Sequence, residues 1–185
     1  MKRETRILGL SGAHIGRETV IVSVVFRGSL WLDGVATTTI EAKEESYSLR
    51  LSNLITSSKQ FSQLHAIIIS QRLMLNSIRE LARRVKLPVI AIAGSNKRPQ
   101  RRKRQLNKFT VSVSGQNVAA MGVGVDRDQA ERLYRISCSP HRTVPEAVRI
   151  ADLVTKELSR TVRISKIYRA KSDGEPFITP NPSNA

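Results

Sequence analysis

The chain has 185 residues, enough for one domain, and 40% of them are hydrophobic, enough for a packed core. It carries 31 Lys+Arg against 15 Asp+Glu, a formal net charge of +16, and a phosphate backbone is the commonest partner relieving such an excess. Aromatics at 4% disfavour a base-stacking surface, and the single cysteine, Cys138, leaves no internal disulfide and no cysteine-based zinc site. No apolar stretch approaches the roughly 20 residues of a membrane span. The expectation is a soluble, cytoplasmic protein.

In chain order, Ile7-Leu8-Gly9-Leu10 reads as a short buried strand stopped by Ser11-Gly12, and the β-branched run Thr19 to Phe26 as a second. A tight turn at Arg27-Gly28-Ser29 leads to a third strand over 30–40, so the first three form an antiparallel meander. Tyr47, Leu51, Leu54 and Ile55 then recur at helical spacing, with Glu44 and Glu45 suited to the first turn. His65 to Ile69 is continuous and apolar like a central parallel strand, with His65 packed at its start. Leu75, Ile78, Leu81, Ala82 and Val85 mark a second helix, and Val89 to Ala93 another buried strand. That order is a βαβαβ unit.

Strands are expected over 109–113 and 117–125, and a helix capped by Asp126. Thr143-Val144-Pro145-Glu146 starts a further helix, with an N-terminal proline and an early acid. Residues 160–170 read as an edge strand. The domain is assigned to 1–170, and the Pro-, Ser- and Asn-rich residues 171–185 to a mobile tail. Three antiparallel strands followed by β-α-β-α-β, with helices on both faces of a mixed sheet, is the order of the ribonuclease H-like α/β fold.

Between the strands at 89–93 and 109–113 lies the densest charge in the chain. Lys97, Arg98, Arg101, Arg102, Lys103 and Arg104 put six cations into eight residues, with Lys108 close behind. No core holds that density, so the segment is expected to lie along phosphates as an exposed loop. Arg83, Arg84 and Lys86 either continue this surface or simply suit a helix C-terminus. Arg160, Arg163, Lys166, Arg169 and Lys171 add a second basic stretch.

Nothing else carries a recognised chemistry. His14, His65 and His141 lack metal-ligand spacing, Ser11-Gly12 and Ser139-Pro140 read as turns, and Gly122-x-Gly124 makes no phosphate loop. Cys138 has no neighbouring base to activate it. Glu146 and Arg149, at i, i+3, are expected to pair on a helix surface, and Glu146 and Asp152 to point to different faces.

Gly122-Val123-Gly124-Val125-Asp126-Arg127-Asp128, followed by Val144-Pro145-Glu146-Ala147-Val148-Arg149-Ile150-Ala151-Asp152-Leu153, resembles a largely archaeal family. It is known as domain of unknown function ninety-nine and is related to endonuclease V. Arg6-Ile7-Leu8-Gly9-Leu10, Val25-Phe26-Arg27-Gly28, Trp31-Leu32-Asp33-Gly34, His65-Ala66-Ile67-Ile68-Ile69 and Leu87-Pro88-Val89-Ile90 extend the resemblance over about residues 5–160. It implies a ribonuclease H-like fold and, for intact members, metal-dependent cleavage by strand-end carboxylates around Mg²⁺.

This chain departs from that pattern at the carboxylates. Where the family's first strand ends Gly-Ile-Asp-Asp, this one ends Gly9-Leu10-Ser11-Gly12; where the fourth ends Asp-Gly, here stand Ser70-Gln71. The family's helix histidine is replaced by Asp152, and Glu44, Glu146 and Asp152 are the remaining acids to consider. The expectation is a degenerate site without metal or cofactor, in a protein binding DNA or RNA with little sequence preference. The alternatives are an active Mg²⁺-dependent endonuclease acting on damaged or deaminated nucleic acid, and a structural subunit of a ribonucleoprotein or repair complex.

Overall fold

The computed structural model describes residues 4–41, 47–73, 78–92 and 107–172. Seven strands form one mixed sheet: β1 (Arg6–Ile15), β2 (Glu18–Arg27), β3 (Trp31–Glu41), β4 (Leu64–Ile69), β5 (Val89–Ile92), β6 (Asn107–Val113) and β7 (Gln116–Val123). The helices are α1 (Tyr47–Thr56), α2 (Ile78–Val85), α3 (Arg127–Ser137) and α4 (Glu146–Ser172). The strand order is β3-β2-β1-β4-β5-β7-β6. β1, β2 and β3 are antiparallel, β4 and β5 run parallel to β1, and the β6–β7 hairpin closes the far side antiparallel to β5. The expected mixed sheet is present.

Strand periodicity sorts the side chains onto two faces. Leu8, Leu10, Ile67 and Ile69 join Leu51, Ile55, Leu81 and Val85, so α1 and α2 cover that face. Ile7, Ala66, Ile68 and Ile90 join Leu133, Tyr134 and Val148, and Val22, Val24 and Phe26 join Ala147 and Ala151, so α3 and α4 cover the other. Each fully buried Leu, Ile or Val contributes about 1.5–3 kcal/mol of transfer free energy, and most of these side chains are wholly inaccessible. Asp126 caps α3 as expected, accepting from Gln129 N–H at 2.7 Å.

One glycine sets the approach of α4. A Cβ on Gly9 would lie 2.3 Å from the Ala147 carbonyl carbon and 2.5 Å from the Val148 nitrogen. The first turn of α4 therefore lies against β1 backbone to backbone, as only glycine permits.

Four sequence expectations change. β1 does not stop at Ser11-Gly12, because β2 goes on pairing with it through Ile15↔Glu18, and a strand with a hydrogen-bonded partner absorbs one glycine. Residues 160–170 continue α4 rather than forming a strand. Extending a helix adds one hydrogen bond per residue fixed, and its β-branched residues cost only tenths of a kcal/mol each. His65 is exposed on β4. Asn107 and Lys108 belong to β6, so the connection from β5 ends at residue 106.

Arg6, Arg27 and Asp33 tie the first three strands together. Arg6 Nε lies 2.7 Å from Asp33 Oδ2, and Arg27 donates to Oδ1 at 3.0 Å. Burial pulls the Asp33 carboxyl upward, but hydrogen bonds from Arg27 and Arg6 outweigh it and hold the group below its ordinary 3.8. A carboxylate with a lowered folded pKa stabilises the fold above the unfolded value, and that contribution is lost as pH falls through the folded one. D33N is expected to lower Tm by about 2–4 °C at pH 7, a loss of about 1 kcal/mol, and the gap to the wild type is expected to close as pH falls through the folded pKa of Asp33. Thermal melts of both proteins across acid pH check this.

Beside this cluster, Leu30, Trp31, Leu32 and Val35 remain exposed at the start of β3, an edge strand.

Candidate functional site

β1 and β4 are parallel neighbours with Leu10 opposite Ile69, and Ser70 N–H donates to Leu10 O at 2.8 Å. Ser11 and Ser70 are thereby set side by side where β4 ends. Ser11 shares the face of Ile7 and Gly9, the face α4 covers. Asp152 lies one turn beyond Val148, whose backbone nitrogen also abuts Gly9, so the helix carries its carboxylate over both serines.

Ser11 Oγ donates to Asp152 Oδ1 at 2.5 Å, and Ser70 Oγ donates to the same oxygen at 2.7 Å. Ser70 Oγ in turn accepts from Arg72 N–H at 3.2 Å, and Arg72 Nε stands 3.7 Å from Asp152 Oδ1. Ser11 and Ser70 are buried, at 0% and 2% exposure, while Asp152 and Arg72 reach solvent. The Arg72 pair is therefore a screened surface contact of about 0–1 kcal/mol. The two hydroxyl bonds matter more, since they satisfy donors that water cannot reach.

This donor set does not fit Mg²⁺. It supplies one carboxylate, with a guanidinium 3.7 Å away, and two neutral hydroxyls with their protons turned onto that carboxylate. Among the described residues, no three His, Cys, Asp or Glu side chains are grouped to hold a metal ion.

The other sequence-derived candidates lie apart. Gly12 faces the opposite side, where a Cβ would meet Leu73 Cδ1 at 2.5 Å. Glu146 pairs with Arg149 as expected, at 2.7 Å, yet it is buried at 4% exposure instead of lying on the surface. Arg142, 3.6 Å away on its other side, completes its neutralisation. Burial, and then the Glu146 charge, push the Cys138 thiol up to about 12, which leaves it protonated and inert at neutral pH. Lys108 is exposed on β6. Glu44, Lys97, Arg98, Arg101, Arg102, Lys103 and Arg104 fall outside the described residues. Sequence reasoning considered Ser11, Ser70 and Asp152 separately and did not join them. The available signal was chemical: against the pattern of the resembled family, hydroxyl donors stand in place of two strand-end acids and an acidic acceptor stands on the helix.

With this geometry in place, the fold can be matched to known ones. The sheet and its helices form a ribonuclease H-like α/β fold of the endonuclease V kind. Endonuclease V from Bacillus subtilis superposes with a TM-score of 0.59 over 87% of this chain and 82% of that one, at 14% identity. Aquifex aeolicus Argonaute matches with a TM-score of 0.56 over 82% of this chain and 28% of that one, at 14% identity. A protein of unknown function from Archaeoglobus fulgidus matches at 0.68 and 21% identity, over 83% of this chain and 98% of that one. No family model matches the sequence. The chain is similar to archaeal UPF0215 proteins: that of Methanothermobacter thermautotrophicus is 27% identical over 179 residues, covering 83% of this chain and 87% of that protein.

Proposed function

We propose that this protein binds nucleic acid through its phosphate backbone, with little sequence preference, on an endonuclease-V-like fold that has given up cleavage. The observation that carries the reading is the Ser11–Ser70–Asp152 network. The strand ends that hold metal-binding acids in the resembled family here share one carboxylate between two serine hydroxyls, with Arg72 beside it. The net charge of +16 supplies attraction to a polyanion. Lys97, Arg98, Arg101, Arg102, Lys103, Arg104 and Lys108 are the cations we assign to the phosphates. Guanidinium and ammonium groups held against phosphates position a strand without reading its bases, which accounts for the weak sequence preference. That endonuclease V and Argonaute share the fold supports a nucleic-acid partner over other polyanions.

The test is a salt titration paired with a cleavage assay. If about six phosphates are neutralised, the slope of log K against log salt on duplex DNA is near −5. A slope near zero rejects the electrostatic mechanism. Nicking of single- or double-stranded DNA or RNA in Mg²⁺ or Mn²⁺, abolished by EDTA and by D152N, rejects the non-cleaving reading.

A further inference from the structure

Away from the serine network, a cavity of about 600 Å³ opens along α2. β4 and β5 are parallel, so Pro88, just before β5, lies at the opposite end of the sheet from Ser70, just after β4. The cavity is lined by Arg79, Arg83 and Lys86 from one side, with Leu87, Pro88 and Val123 beside them. The three cations stand at i, i+4 and i+7, a single helix face, and among the described residues no acid lines the cavity. Their neighbour Arg84 points elsewhere and is paired with Glu80 at 2.8 Å. Of the three basic residues at the end of α2, Arg84 is thus held in a helix-surface ion pair, while Arg83 and Lys86 line the cavity.

The backbone adds a second observation. Lys86 closes α2 with its N–H on Ala82 O at 2.9 Å and holds φ at 55°. That left-handed position at a helix end ordinarily takes glycine, and a lysine there costs stability. Gly124, also on the lining, holds φ at 69°, and a Cβ added there would meet Pro88 Cα at 3.8 Å, an ordinary contact. A strained cation on the rim of a cavity with apolar flanks has the composition of a site for an anionic head on a flat, partly apolar body.

We propose that this cavity binds the phosphate ester of one nucleotide, either free or as one unit of a nucleic-acid strand. The volume lies within the range of about 300–1,000 Å³ typical of small-ligand sites. Arg83 and Lys86 would hold the phosphate, and Leu87, Pro88 and Val123 the sugar and base. The strand-bound case rests on the nucleic-acid reading above; the free-nucleotide case does not.

The experiment titrates the full chain by calorimetry with inorganic phosphate, AMP and a short single-stranded oligonucleotide. Four proteins are compared: wild type, R83Q/K86G, R84Q, and a loop variant R101Q/R102Q/K103Q/R104Q. R83Q/K86G is expected to weaken AMP binding at least about tenfold. Its Tm should be unchanged or raised by up to about 3 °C, because glycine relieves the strained position. R84Q and the loop variant should bind AMP as wild type does, while the loop variant loses oligonucleotide affinity. The proposal is overturned if wild type binds neither phosphate nor AMP, if R83Q/K86G titrates like wild type, or if R84Q or the loop variant weakens AMP binding as much. AMP binding without oligonucleotide binding would uphold the cavity and reject the broader reading; the reverse would do the opposite.

Discussion

Replacing Gly9 with alanine is expected to destabilise the protein by about 3 kcal/mol or more, lowering Tm by about 6–12 °C. The added methyl would sit 2.3 Å from the Ala147 carbonyl carbon and 2.5 Å from its oxygen, closer than real Cβ contacts come. Nothing soft lies in its path: the obstacle is helix backbone, so all of α4 must lift. Lifting it separates Ala147 and Ala151 from Val22, Val24 and Phe26 and draws Asp152 away from Ser11 and Ser70. Gly34→Ala is the control, since its Cβ would meet only the movable Gln60 side chain, at 3.1 Å, and should cost less than about 1 kcal/mol. Chemical denaturation of both variants measures the difference, and equal costs would reject this account of α4 packing.

Removing the Asp152 carboxylate should have the second largest effect. D152A orphans two hydroxyl donors, on Ser11 and Ser70, that are shielded from water. Each unsatisfied group costs about 1–3 kcal/mol, so a loss of about 2–6 kcal/mol is expected. The triple variant S11A/S70A/D152A removes donors and acceptor together and should recover most of that loss, because no buried polar group is then left without a partner. Recovery is the diagnostic quantity. If the triple variant is as unstable as D152A, the network is incidental to stability.

Much of the fold was legible in the sequence because hydrophobic period translates directly into burial. The β-branched run at 19–26, the apolar run at 66–69 and the stripe Ile78-Leu81-Ala82-Val85 all occupy the elements expected of them. The misreadings came where a local signal competed with a long-range one. Ser11-Gly12 has the composition of a turn, but strand pairing over the length of β1 decided its conformation. Thr161-Val162-Arg163-Ile164 has the composition of a strand, but it follows an established helix, and Thr161 Oγ1 donates to Glu157 O at 3.1 Å in helical fashion. Of the candidate site, sequence could report only which residues had changed from the family pattern. That Ser11, Ser70 and Asp152 meet on one oxygen depends on contacts 82 and 141 residues apart in the chain, which no local pattern encodes.

The exposed margin of the sheet has a consequence for how this molecule behaves in company. β3 runs for 11 residues from Trp31 to Glu41 with neither lysine nor proline, the residues that commonly deter unwanted strand pairing. Apart from the irregularity in pairing at Asp33, mutual repulsion between highly charged copies is left to do the deterring, and it acts over only about 10 Å at 0.1 M ionic strength. Added salt, or a polyanion neutralising several copies at once, removes that repulsion and leaves the β3 edge, unpaired among the described residues, with less to keep copies apart.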